Sequence, residues 1–335
     1  MPALKPISAF ALRPLARTLC AAALVLAGGR AYAGSAGASS AAFLKMDIGA
    51  RAAALGGAFV AAEPDVTSLL ANPGTIGAMK ESQVGFMHDI WIDGTTFDFV
   101  GFTQMLSDGK ASVGGSLLYL NMGQIEKVTK TGYTTGGDYQ AYTAMGTFTY
   151  SRRFGEKNIF GATLKRLTEH IEYESASAFG LDLGYMHEFN KWRLGLDVMN
   201  LGTGMTFRTV SSPLPRTIRA GAWFNLFKNF SMAAEMVMPD SQMSMRAGME
   251  YASTENAGKQ YFIRGGFKSV SPADIGGMAN ISLGFGLKRP QWQLDYAVVP
   301  FGSYGMTHWI TLIRRISATG ESGLKRSRTR GVRFN

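Results

Sequence analysis

The sequence predicts an all-β protein: a 14-stranded antiparallel transmembrane β-barrel with a small N-terminal plug of helix and coil. Three observations carry this prediction. From residue 81 onward the chain breaks into 14 short segments in which apolar and polar residues alternate. The connections between those segments alternate between tight turns and longer loops. The composition is 46% apolar and 17% charged with 41 glycines, and it leaves almost none of the helical periodicity that a soluble α/β chain of this size needs.

The elements follow in chain order. Residues 1–33 read as an export signal: Lys5, Arg13 and Arg17 precede an apolar stretch over 19–27, and Ala31-Tyr32-Ala33 supplies a small-x-small cleavage pattern. That stretch is too short for a spanning helix, which takes about 20 residues. Cys20 is the only cysteine. A chain cleaved after Ala33 therefore has no disulfide framework and no cysteine metal site. Residues 34–80 do not read as barrel. Their 50–62 stretch is rich in small residues, Pro64-Asp65 caps a short apolar turn over 66–71, and Asn72-Pro73-Gly74 breaks that turn. Small side chains allow close backbone packing, as a plug inside a lumen requires.

The barrel is expected over 81–315, with segments near 82–91, 96–105, 111–120, 139–153, 158–170, 176–189, 192–201, 216–226, 230–238, 242–252, 260–268, 280–288, 291–299 and 306–314. Alternation is clearest late in the chain. Trp192, Leu194, Leu196 and Val198 share one face against Arg193, Gly195 and Asp197; Ile281, Leu283, Phe285 and Leu287 oppose Ser282, Gly284, Gly286 and Lys288. A period of two places such sets on opposite sides of a sheet, one toward an apolar medium and one toward a polar one. A water-soluble sandwich also satisfies that pattern. Connection lengths favour the barrel, because 106–110, 154–157, 190–191, 227–229 and 289–290 are tight while 121–138, 202–215 and 269–279 are long. The connections 239–241 and 253–259 depart from the rule. Aromatics near segment ends (Trp91, Tyr119, Tyr139, Tyr150, Phe154, Trp192, Trp292, Trp309) fall where interfacial girdles belong. Closure leaves no unpaired strand backbone in lipid.

The net charge of +10 comes from the two ends. The signal and a basic tail over 316–335, with Arg314 and Arg315 just before it, hold the excess, and the body between them is neutral. A nucleic-acid groove needs clustered positive charge, so nucleic acid is excluded as a partner.

Beyond the alternation, the plug carries Phe43-Leu44-Lys45, the run from Gly49 through Arg51, Leu55, Gly56 and Gly57 to Ala61, then Asp65 and Asn72-Pro73. The barrel carries Val84-Gly85-Phe86-Met87-His88, Tyr119-Leu120-Asn121-Met122-Gly123, Tyr150-Ser151-Arg152-Arg153-Phe154, Gly161-Ala162-Thr163-Leu164-Lys165, and Leu294-Asp295-Tyr296 through Pro300. In these residues the chain resembles the PorV/PorQ family, a branch of the FadL-like outer-membrane barrels. The resemblance implies a 14-stranded barrel with an N-terminal plug in a Gram-negative-type outer membrane, in contact with its lipid and lipopolysaccharide. An even strand number puts both termini on one side, the periplasmic one. The resemblance further implies a component of type IX-like protein secretion or surface export, with secretion-system components or cargo proteins as partners. The alternative is a FadL-like channel for uptake of hydrophobic small molecules such as long-chain fatty acids; a structural barrel without throughput is a third class. Two departures stand out: Gly74 replaces the alanine that usually follows Asn-Pro, and about 20 residues follow the last strand where such barrels usually end.

Gly56, Gly57, Asn72, Pro73 and Gly74 are the candidate gate, either in a movable stopper or in a static filler of the lumen. Gly114 and Gly115 in the third strand are the candidate lateral opening, since glycine inside a strand often marks a bulge or a close approach. FadL-like barrels resemble this in having an irregular third strand. The preferred alternative is glycine packed flat under a neighbouring aromatic. The basic tail is either a solvated segment or a periplasmic electrostatic contact. No enzyme, cofactor or metal is expected. His88, His170, His187 and His308 lie on separate segments without ligand spacing, and neither a nucleophile elbow nor a phosphate-binding loop occurs. A serine–histidine pair assembled across strands would leave no such motif. Glu172 and Glu174 are read as a solvated loop face. A channel should have an apolar pocket at the plug, and a secretion component an exposed rim on the loops 121–138 and 202–215.

Overall fold

The computed structural model describes residues 39–128, 132, 134–240, 242–269 and 277–316. The expected export signal and the basic tail beyond Ile316 lie outside the described residues. The barrel strands are β1 (Ser82–Ile90), β2 (Thr96–Met105), β3 (Ala111–Val128), β4 (Thr134–Phe154), β5 (Asn158–Ile171), β6 (Glu174–Glu188), β7 (Trp192–Gly202), β10 (Thr217–Phe227), β11 (Phe230–Pro239), β12 (Ser244–Ala252), β13 (Gln260–Lys268), β14 (Ile281–Lys288), β15 (Trp292–Pro300) and β16 (Met306–Ile316). Each pairs antiparallel with its neighbour in the chain, and β1 pairs with β16 from Ser82↔Ile316 to Ile90↔His308, which closes the 14-stranded barrel. Between β7 and β10 a small hairpin of β8 (Met205–Phe207) and β9 (Val210–Ser212) stands apart from the wall.

Two loops contain more structure than the sequence suggested. The connection 121–138 is largely ladder, since β3 and β4 stay paired out to Val128↔Thr134. The register shifts between Asn121 and Gln124 and again between Glu126 and Val128. The first inserts one extra residue on β3, which exchanges the faces of the side chains beyond it, and the second inserts two on β4, so the period-two pattern is lost while the pairing continues. The connection 202–215 likewise holds the β8–β9 hairpin, whose strands are too short to register as alternation.

The outer wall is apolar: Phe86, Phe102, Leu117, Phe148, Leu164, Ile263, Leu283 and Leu312 are all exposed on it. Such a surface is at home only in hydrocarbon. At the short-turn end, Phe154, Phe160, Tyr185, His187, Phe189, Trp192 and Phe224 form an unbroken chain of rings with neighbouring centroids 3.6 to 6.5 Å apart. Tyr119, Tyr142 and His170 form a shorter chain at the long-loop end. Two tryptophans expected in these girdles are elsewhere. Trp309 is buried and faces the lumen, and Trp91 packs edge-on against it at 6.0 Å. The odd-numbered residues of β16 face inward, and a segment-end position says nothing about which face it is on.

Candidate functional site

Residues 39–81 fill the lumen as a plug. Short helical turns run over Ala42–Lys45, Val66–Leu70 and Thr75–Ala78, with one α-helical turn, α1 (Ala50–Ala54), between the first two. Asp65 caps its turn as the sequence suggested: its carboxylate accepts the Thr67 N–H at 2.9 Å, and its own N–H donates to Ser68 Oγ at 3.2 Å. Asn72 accepts the Gly74 N–H at 2.9 Å, which makes the Asn72-Pro73-Gly74 turn. Its amide nitrogen donates to the Val60 carbonyl at 2.8 Å and to the Tyr185 carbonyl at 3.2 Å, so one side chain shapes the plug and ties it to β6.

The plug meets two unlike walls. Toward β10–β15 the contact is ionic. Arg51 binds Glu250 of β12 through Nε at 2.9 Å and Nη2 at 3.1 Å, and donates to the Glu63 carbonyl at 2.7 Å. Glu250 also accepts from Arg264 of β13 at 2.7 Å, and Arg264 continues to Asp295 of β15 at 2.6 Å. Burial alone would lower the Arg51 pKa. Glu250, with Asp65 beyond it, reverses that and holds the pKa above its usual value. Glu235 of β11 accepts the N–H groups of Phe59 and Val60 at 2.7 and 2.8 Å while pairing with Arg219 at 2.7 Å. Arg219 in turn donates to the carbonyls of Ala71 and Gly57. Arg246 holds Asp47 at 2.6 Å. Toward β1–β5 the contact is apolar: Val66, Leu69 and Ile76 belong to one buried cluster with Phe97, Phe99, Leu118, Met145 and Leu167. These paired charges are spread over the lumenal face of many strands. The sequence contains them as the polar half of the alternation, but nothing in it says which meets which.

Every candidate gate residue lies in the plug–wall contact. Gly56 has φ +65°, and a Cβ there would meet the Phe267 backbone nitrogen at 2.6 Å. Gly57 has φ +78° and lies under the Arg246–Asp47 pair. Gly74 faces the Gly184 backbone at 3.0 Å from where a Cβ would stand, and the Pro73 carbonyl lies over Gly161. The alanine usual at position 74 would be tight here, which accounts for the departure. The wall is bare where the plug rests: a Cβ on Gly248 would meet the Leu55 carbonyl at 2.8 Å, and one on Gly266 would fall on the Gly56 nitrogen. Backbone docks on backbone.

Gly114 and Gly115 are not at an opening in this structure. The β2–β3 and β3–β4 ladders pass through both residues without a shift in register. Gly114 makes room for Leu69 of the plug, and Gly115 lies under the Phe102 ring, at 3.2 Å from where a Cβ would stand. The loop acids read as a solvated face reach solvent and pair with neighbours on it: Glu172 with Lys127 at 2.6 Å and Glu174 with Arg208 at 2.9 Å.

At the long-loop end, between the plug and β13–β16, lies a cavity of about 150 Å³. Met46, Ala53, Trp91, Val299, Phe301 and Trp309 supply its apolar lining, and Lys45, Asp47, Arg246, Lys268, Asn280 and Ser282 its polar one. Lys45 is committed to Asp240 at 2.7 Å and Arg246 to Asp47. Lys268 is the lining cation with no direct carboxylate partner among the described residues. The Asn280 Oδ1 is buried and without a hydrogen-bond partner among those residues. Composition and spacing could not find this site, because its walls come from both ends of the chain.

The architecture recurs in solved structures. The CymD monoaromatic hydrocarbon channel superposes with a TM-score of 0.58 at 10% identity, over 81% of this chain and 98% of that one. The Pseudomonas putida toluene transporter TodX gives 0.56 at 12% identity, over 79% and 96%. The fold is shared with hydrocarbon channels. At such low identity the likeness concerns the fold alone. Residues 22–165 match the model of an uncharacterised protein family, UPF0164. No curated protein matches the sequence.

Proposed function

We propose that this protein is an outer-membrane channel that admits compact hydrophobic molecules, with the cavity between plug and wall as their first binding site. The observation that carries this reading is the cavity itself. A space near 150 Å³ is large enough for a benzene-sized molecule, and this one sets an apolar side (Met46, Ala53, Trp91, Val299, Phe301, Trp309) against a polar one, with plug residues in its wall. The printed descriptions of the two barrels above, a monoaromatic hydrocarbon channel and a toluene transporter, support a ring-sized cargo. Lys268, which has no direct carboxylate partner among the described residues, favours a ring that carries an anionic group. In this reading the signal is removed after Ala33, the termini and basic tail lie in the periplasm, and the plug around Gly56, Gly57 and Asn72-Pro73-Gly74 shifts as a unit to let cargo pass. The secretion role implied by the PorV/PorQ resemblance finds no feature among the described residues that prefers it to a channel.

Trp91 and Trp309 line the cavity, so binding is readable as quenching of tryptophan fluorescence in detergent-purified protein. Toluene and benzoate should both quench, benzoate more strongly, and the response should shrink in Trp309→Phe and vanish when Trp91→Phe is added. Uptake of the same compounds should fall in a deletion strain. Unchanged fluorescence together with unchanged uptake would end the channel reading.

A further inference from the structure

The outer wall carries a second feature, on the lipid side and independent of what passes through the lumen. The outward faces of β1 to β5 carry a groove of about 480 Å³, and one arm of it lies between the ridges of β3 and β5. The floor of that arm is the outward face of β4, where Ala144 and Gly146 stand; its sides are Leu117 and Tyr119 on one hand, Arg166 and Thr168 on the other. Two strand spacings set its width at about 10 Å between strand axes, room for one acyl chain.

Gly146 is not required by the fold. A Cβ there would meet only Leu117, at an ordinary 3.6 Å, in contrast with the wall glycines that receive the plug. Glycine inside a strand weakens it, so its presence under an open groove leaves space for something other than this chain.

Arg166 indicates what that is. Its guanidinium is exposed, lies 5.8 Å over the Phe179 ring, and makes no hydrogen bond or ion pair among the described residues. Among the described residues, Arg152 and Arg314 also face outward, at the short-turn end, and Arg216 is exposed just before β10 at the long-loop end. Arg166 is eight residues along β5 from the short-turn end, about 26 Å of strand and about 20 Å of height at the usual tilt, close to the far edge of a ~25 Å apolar band. The side chains beside it confirm the boundary. Phe148 and Leu164 lie below, and Thr168, His170, Ser175 and Ser177 lie above. An unpaired cation at that level faces the headgroup layer reached from the long-loop side. The acid at the groove's distant edge, Asp98, is already occupied by His88 at 2.7 Å.

We propose that the groove over Ala144 and Gly146 binds one acyl chain of a phosphate-bearing lipid, the lipid A of lipopolysaccharide, with Arg166 on its phosphate. The test is native mass spectrometry of the full-length detergent-purified barrel titrated with bisphosphorylated lipid A, and in parallel with zwitterionic phosphatidylethanolamine. Wild type should prefer lipid A. Arg166→Gln should weaken lipid A by about tenfold, the effect of one charge-assisted hydrogen bond, and leave phosphatidylethanolamine unchanged. Gly146→Val should fill the groove and weaken both lipids, while heat-modifiable migration confirms a folded barrel. Arg314→Gln should bind as wild type. Equal affinity of wild type for the two lipids, or unaltered lipid A binding in either Arg166→Gln or Gly146→Val, overturns the proposal.

Discussion

Glu250→Gln is the most direct test of how the plug is held. The substitution keeps the side-chain shape and removes the one carboxylate shared by Arg51 of the plug and Arg264 of the wall. Breaking a buried ion pair from one side costs about 3–5 kcal/mol, because a charge is left without its counter-charge. Each arginine here keeps a second acceptor, the Glu63 carbonyl for Arg51 and Asp295 for Arg264. The lower figure therefore applies, about 3 kcal/mol, which multiplies the population of the released plug roughly a hundredfold. A thiol can read this population. With Cys20 replaced by serine, Ala58→Cys places a reporter at a plug position that is 2% exposed. Its maleimide labelling rate should rise about a hundredfold in Glu250→Gln while the barrel keeps its heat-modifiable migration. Arg51→Gln should raise the rate too, and the double variant should be less than additive. Equal labelling in wild type and Glu250→Gln, or strict additivity, would refute a plug held by charge.

Gly266→Val should be more disruptive than any single change in the ion pairs. The new side chain lands on plug backbone, which cannot swing aside, and the expected result is a folded barrel whose plug is cut by added protease. Asp47 gives a pH dependence. Burial alone would raise its pKa, but Arg246, with Lys268 and Arg219 behind it, lowers it below the ordinary value of 3.8. A carboxyl depressed in the folded state stabilises fully above its unfolded pKa and loses that contribution as pH falls through the folded one. Plug labelling, normalised at each pH to the rate of a free thiol, should thus be flat from neutrality to about pH 5 and climb below about pH 4, and Asp47→Asn should remove that part of the climb. Leu164→Arg on the outer wall should destabilise insertion into vesicles by about 2–4 kcal/mol, as read by urea unfolding in the bilayer. The isosteric Leu164→Met should change it little.

The strands were legible because each side of the wall meets a different medium. All 14 barrel segments expected from alternation are strands, and β2 and β13 begin and end where the pattern said. Legibility failed wherever the pairing stopped being regular. Past Asn121 the bulges scramble the faces, so a ladder looked like a loop. The plug was visible as a break in pattern with a capped turn at Asp65 and a breaker at Asn72, both local effects of short polar side chains. Its partners were not visible, since Arg51 and Glu250 stand 199 positions apart and either could have faced many carboxylates or guanidiniums. Adjacent glycines stand out in a sequence, as Gly114 and Gly115 do beside Leu69 and the Phe102 ring, whereas scattered single glycines such as Gly248 and Gly266, which receive the plug backbone, do not.

That separation of 199 positions also has a consequence for assembly. The segment that fills the lumen precedes the barrel in the chain, whereas its ionic anchors Glu235 and Glu250 lie on the ninth and tenth of the 14 barrel strands. Until Glu250 has emerged Arg51 lacks its acid on the wall, and until Glu235 has emerged the N–H groups of Phe59 and Val60 lack theirs. Curling of the sheet and seating of its filling are therefore a single late event, limited by the slow search for distant contacts.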